Sequence, residues 1–65
     1  MKNTVIATRL KSLRGGKSQQ TLADEIGLKQ STYAMYETGE RIPGDENKIK
    51  IANHYKMTVQ EIFYD

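Results

Sequence analysis

At 65 residues, with no cysteine and one histidine, the chain has room for one small domain and cannot build disulfides or a thiolate metal site. The net charge is +2 but unevenly placed: residues 1–32 hold six Lys/Arg against two Asp/Glu, and residues 33–65 hold four against six. That asymmetry suits a phosphate-facing half and a partner-facing half, and it equally suits many ordinary domains.

A chain this short buries a modest share of its surface, so capped helices and self-association are the expected supplements to its stability. No hydrophobic signal run opens it, and no apolar stretch approaches membrane-spanning length. A soluble, cytoplasmic protein with no membrane engagement is expected. There is no Ser/His/Asp or Cys/His arrangement, no phosphate-cradling glycine loop and no carboxylate-histidine cluster. Neither catalysis nor a cofactor or metal is expected.

Five segments with helical spacing follow one another. The first runs from Asn3 or Thr4, as N-cap, to Leu13 or Arg14, with Val5, Ile6, Leu10 and Leu13 on one face, and Gly15-Gly16 ends it. Ser18 is the expected N-cap of a second helix, Gln19 to Ile26. A third runs from about Gln30 to Thr38 and stops at Gly39, with Lys29 an unusual residue at its cap position. Arg41-Ile42-Pro43-Gly44 reads as a loop, because proline rejects a helical predecessor. Asp45 and Glu46 favour the start of a fourth helix through its dipole, and Ile49, Ala52 and Tyr55, with Ile51 beside them, form its apolar stripe. Thr58-Val59-Gln60-Glu61 is a capping box opening a short fifth helix with Val59, Ile62 and Phe63 on its apolar face.

The stretch Gln19 to Tyr36 carries the most information. Leu22, Ala23 and Ile26 give an apolar face to a helix of about two turns, and Gly27 breaks the pattern where the chain must turn sharply. Leu28 fills the corner, and Tyr33 and Tyr36 supply the stripe of the next helix. Ala23 is small enough to let that helix approach closely. A short helix, a glycine turn and a helix with a polar start make a DNA-reading helix-turn-helix.

The chain resembles the phage repressor/Cro-type, or Xre, helix-turn-helix family over residues 5–63. Ser18-Gln19-Gln20-Thr21-Leu22-Ala23, Gly27 and Glu37-Thr38-Gly39 match its pattern at mutually correct spacing, as do Arg41-Ile42-Pro43 with Ile49-Lys50-Ile51-Ala52, and Val59-x-Glu61-Ile62-Phe63. The implied fold is all-α: a compact, five-helix, lambda-repressor-like domain with the helix-turn-helix at helices 2 and 3. Three departures stand out. The link from helix 1 to Ser18 is about two residues shorter than the family's commonest loop. Asp45 and Lys48 stand where aliphatic residues are common, and Glu40 where a basic residue often meets phosphate.

A helix in the major groove presents its first turn to base edges, which here means Gln30, Ser31 and Thr32, with Met35 one turn on. The resemblance implies base reading at these same positions, although their spacing alone equally fits a polar helix start. Glutamine both donates and accepts, so Gln30 suits adenine, while Met35 suits a thymine methyl. Gln19 opens the second helix, where free amides favour an anion, and the resemblance gives it a backbone phosphate and the support of Gln30. Ser18, Lys17, Lys29, Thr38 and Arg41 complete the expected phosphate set; for the lysines, a solvated surface charge fits as well. The resemblance also implies an ion pair between Arg14 and Glu37, with Arg9 or solvent as substitute if the short loop misplaces Arg14. Tyr33, Tyr36 and Tyr55 are expected in or at the edge of the core with their hydroxyls outward, and His54 on the surface.

Members of this fold usually act as two-fold dimers. Val59, Ile62, Phe63 and Tyr64 offer the expected dimer surface, with Ile62 internal and Phe63 or Tyr64 shared. The expected function is a sequence-specific transcriptional repressor dimer on a near-palindromic double-stranded DNA operator, its occupancy set by concentration, competition or an antirepressor. The alternative is an antitoxin-type or adaptor protein that chiefly binds a toxin-like protein partner and uses DNA for autoregulation.

Overall fold

A computed structural model describes residues 4–64. Five helical segments make up the described residues: α1 (Thr4–Arg14), α2 (Gln19–Ile26), α3 (Gln30–Thr38), α4 (Asp45–Tyr55) and α5 (Gln60–Tyr64). No strand occurs among them, and no helix is long and apolar enough to cross a membrane. α3 packs against α1 and α2, while α4 rests on α2 and α5 on α1.

The boundaries follow from local chemistry. Ser18 is extended and its Oγ accepts from Thr21 N at 3.1 Å, satisfying one of the free amides at the start of α2. Gly27 ends α2 at φ 92°, in the left-handed region where other residues are strained, and its N–H donates to Ala23 O. Lys29 caps α3 with no side-chain hydrogen bond. Thr58 and Glu61 form a reciprocal box: Thr58 N donates to Glu61 Oε1 at 2.8 Å, and Glu61 N to Thr58 Oγ1 at 3.0 Å. The short fifth helix it opens, α5, is wound as a π-helix. The proposed cap at Asn3 lies outside the described residues.

Leu10, Leu22, Tyr33, Ile51 and Ile62 are fully buried, one from each helix, with Ala23 and Ala52 buried among them. Each of the leucines and isoleucines contributes about 1.5–3 kcal/mol through removal from water.

Several expected core positions shift. Val5 is 62% exposed and Ala7 is buried in its stead. Val5 lies five residues before Leu10, roughly 140° around the helix, and so falls off the face that Ala7, Leu10 and Leu13 share. Ile49 is likewise 52% exposed, while Ile51 and Ala52 are buried. It sits roughly 110° from the centre of the Ile51–Ala52–Tyr55 face. Of Phe63 and Tyr64, one or the other expected to be shared with a partner, Phe63 is buried with Ile62 in the chain's own core and Tyr64 is 59% exposed.

The tyrosine hydroxyls also depart from expectation. Tyr33 and Tyr55 bury theirs; the Tyr33 hydroxyl lies beside the Glu37 carboxylate, and that of Tyr55 has no hydrogen-bond partner among the described residues. Tyr36 behaves differently: its hydroxyl accepts from Asn47 Nδ2 at 2.9 Å and ties α3 to α4.

Candidate nucleic-acid interface

α3 is held from behind by Tyr33, Tyr36 and Glu37, all buried, so its opposite side is free. At 100° per residue that side carries Ser31, Met35 and Thr38, with Thr32 and Ala34 flanking them. Ser31 and Thr38 are exposed, and Thr32, Ala34 and Met35 half-buried. Ala34 was not among the expected contacts; its place between Gln30 and Thr38 on the helical wheel was the available signal. Gln30 lies on the edge of this surface, turned towards the start of α2 and half-buried.

A continuous hydrogen-bonded chain leads inward from Gln30. Its Nε2 donates to Gln19 Oε1 at 2.9 Å, and Gln19 Nε2 donates to Glu37 Oε1 at 3.0 Å. Glu37 in turn receives Arg14 Nε on Oε2 at 2.7 Å and Arg14 Nη2 on Oε1 at 3.0 Å. The remaining guanidinium nitrogen, Nη1, donates to Lys17 O at 2.7 Å and so also braces the loop before α2. The short α1–α2 link therefore leaves Arg14 in reach of Glu37. Arg9 is occupied elsewhere, donating to Glu61 O and Ile62 O and fastening α5 to α1.

The Glu37 side chain is 1% exposed. Burial raises its pKa, but the bonds from Arg14, the Tyr33 hydroxyl beside it, the bond from Gln19 and the Arg14 charge outweigh that effect and hold the carboxyl below its usual range. The Glu37 hydrogen bond is also the main influence raising the Arg14 pKa. Burial first, and the nearby Glu37 carboxylate second, push the Tyr33 phenol well above its ordinary value. Both members of the pair are therefore charged at neutral pH. With Glu37 buried and Arg14 partly exposed, such a pair gives orientation more than net stability.

The residues expected at phosphate are spread along both helix ends. The Ser18 hydroxyl is engaged in capping α2. Lys17 Nζ is 2.6 Å from Glu25 Oε1, with His54 Nε2 3.5 Å from the same oxygen. The Lys17 bond is the largest influence lowering the Glu25 pKa. Thr38 Oγ1 stands within reach of both Met35 O, at 3.0 Å, and Glu40 Oε1, at 2.9 Å, and its single proton serves one of them. Lys29 and Arg41 have exposed side chains, on either side of α3.

At the far end of the molecule, Ile49, Val59 and Tyr64 line a shallow groove together with Asp45 and Lys48. Lys48 Nζ lies 4.6 Å from the Tyr64 ring centroid and donates to its hydroxyl at 2.5 Å, which holds this exposed aromatic in place.

A family model described as helix-turn-helix matches residues 9–62. The chain is 41% identical over 46 residues to the cryptic phage CTXphi transcriptional repressor RstR of Vibrio cholerae serotype O1, a match covering 71% of this chain and 41% of that protein. The chain thus spans less than half the length of RstR. It is 31% identical over 64 residues to the uncharacterized HTH-type transcriptional regulator YgzD of Bacillus subtilis, covering 98% of this chain and 92% of that one. Among solved structures, the SOS-response transcriptional repressor LexA from Eubacterium rectale superposes with a TM-score of 0.83 over 94% of this chain and 67% of its own, at 21% identity. That likeness shows the fold alone. With the matched region running from within α1 into α5, the chain belongs to the helix-turn-helix family of DNA-binding transcriptional regulators.

Proposed function

We propose that the protein is a sequence-specific repressor that inserts α3 into the major groove and acts as a two-fold dimer on a near-palindromic operator. The observation that carries this reading is Gln30, at the first turn of α3, held by Gln19 while Ser31 and Met35 face outward beside it. A base-reading side chain gains specificity when its rotamer is fixed before it meets DNA, because less freedom is lost on binding. In this reading Gln30, Ser31, Thr32 and Met35 touch bases. Gln19, Lys29, Thr38 and Arg41 hold the phosphates on either side; Ser18 and Lys17, already engaged within the protein, add less.

Ile62 and Phe63 are spent on the chain's own core, so the dimer surface proposed here is the groove of Ile49, Val59 and Tyr64. The name of RstR as a repressor supports the same direction of regulation. The mode would be occlusion of a promoter.

Selection of binding sites from random duplex DNA tests the proposal. An enriched palindrome with half-sites about one helical turn apart is the expected result. A selected pool with no common sequence would overturn the specific-reader claim, and a single non-repeated half-site would overturn the dimer.

A further inference from the structure

We propose that Glu37 is a specificity-determining positioning residue: its carboxylate sets which way the Gln19 amide points and, through Gln19, which way the Gln30 amide meets the base. This rests on Gln30 as a base reader. An amide side chain has nearly the same shape in both orientations, and only its neighbours choose between them. The chain Gln30–Gln19–Glu37 has one end that leaves no choice. An ionised carboxylate accepts hydrogen bonds and donates none. The Gln19 atom 3.0 Å from Glu37 Oε1 is therefore the nitrogen, and Gln19 must turn its oxygen towards Gln30. The Gln30 atom 2.9 Å from that oxygen must in turn be a nitrogen.

The consequence reaches the surface. With one N–H committed to Gln19, Gln30 keeps its second N–H and its Oε1 for DNA. The oxygen lies on the side away from Gln19. At adenine the N–H meets N7 and the oxygen accepts from the N6 amino group; at guanine the same oxygen faces O6, and two acceptors repel. Arg14 contributes by keeping the carboxylate fixed, since both Glu37 oxygens receive guanidinium protons. A half-buried ion pair that looks purely structural thereby selects the base.

The test compares affinities for the selected operator and for a version carrying guanine in place of adenine at the base pair Gln30 contacts. The wild-type protein should prefer adenine about tenfold or more. Gln19→Lys puts a donor-only group between Glu37 and Gln30, leaves the Arg14–Glu37 pair intact, and forces Gln30 to turn its oxygen inward. The adenine-to-guanine ratio should fall below one, while the added charge raises affinity for both sequences alike. Glu37→Gln, whose amide both donates and accepts, permits either orientation and should bring the ratio to within about threefold of one. Neither substitution should alter the ratio further in a Gln30→Ala background, a result that general loosening of the fold would not give. Circular dichroism confirms which variants are folded, and if Glu37→Gln is not, Gln19→Lys decides alone. A folded Gln19→Lys protein with full adenine preference would overturn the relay while leaving Gln30 a reader. If Gln30→Ala itself leaves the wild-type preference intact, the base-reading assignment fails first and the relay with it.

Discussion

The two ends of this molecule share one apolar core and differ in what flanks it. Around α2 and α3, fully buried apolar residues (Leu22, Ala23, Tyr33) sit beside a polar chain that runs unbroken from Arg14 through Glu37 and Gln19 to Gln30. Around α4 and α5, Ile51 and Ile62 are buried, but Ile49 and Tyr64 stand in solvent and α4 ends on Lys56 in a left-handed conformation at φ 55°. The first end fixes the position of side chains to within a hydrogen bond. The second keeps apolar surface in reserve. A DNA-reading helix needs the former, and an association surface needs the latter.

Substitutions sharpen that contrast, and the largest effect is expected at the Arg14–Glu37 pair. Arg14→Met leaves the Glu37 carboxylate buried without its cation and should cost about 3–5 kcal/mol in urea unfolding. That is comparable to the whole stability of a chain this size, at about 0.05–0.15 kcal/mol per residue. A loss under about 1 kcal/mol would mean that water or Gln19 suffices for Glu37. Leu22→Ala, in the same region, should cost about 2–5 kcal/mol. At the other end, Ile49→Ser should change monomer stability by less than about 0.5 kcal/mol, while weakening self-association in sedimentation experiments. An unfolding cost there as large as for Leu22 would erase the contrast.

The pair also carries a pH signature. Glu37 has a folded pKa below its unfolded value, so its contribution is fully present above the ordinary carboxylate range. It is lost as pH falls through the lowered folded value. Wild-type stability should therefore drop on acidification below the usual carboxylate pKa, and Glu37→Gln should flatten that limb of the curve. An acid limb of unchanged slope in the folded variant would assign it to other carboxylates.

Smaller effects are expected at the helix ends. Ser18→Ala removes the α2 cap and should cost about 1 kcal/mol. Lys56→Gly relieves a left-handed conformation at the close of α4 and should stabilise by up to about 1 kcal/mol. Thermal unfolding distinguishes these opposite signs.

Much of the helical order was legible because caps are local. Ser18, Gly27, Gly39 and the Thr58–Glu61 box act within four residues of where they stand, so spacing alone located the ends of α2 and α3. Burial was harder to read. Val5 and Ile49 are apolar and helical, yet each lies more than a quarter turn from the centre of the face its neighbours bury. Which part of a helix faces inward depends on the packing partner, which sequence spacing does not contain. The polar chain was partly legible. The resemblance pointed to Arg14, Glu37 and the support of Gln30 by Gln19, but the bond from Gln19 to Glu37 joins residues 18 apart and appears only once α2 and α3 are crossed. The buried hydroxyls of Tyr33 and Tyr55 had no sequence signal at all, because the same tyrosine serves a wet or a dry position.

Base reading by the first turn of α3 is tested most directly by Gln30→Ala measured against a panel of single-base operator variants. We expect a loss of about 1–3 kcal/mol confined to one adenine position, with non-specific affinity unchanged, while Arg41→Ala lowers affinity for every sequence and flattens the salt dependence. If Gln30→Ala instead weakens all operator variants equally and every base preference survives, α3 is not the reader.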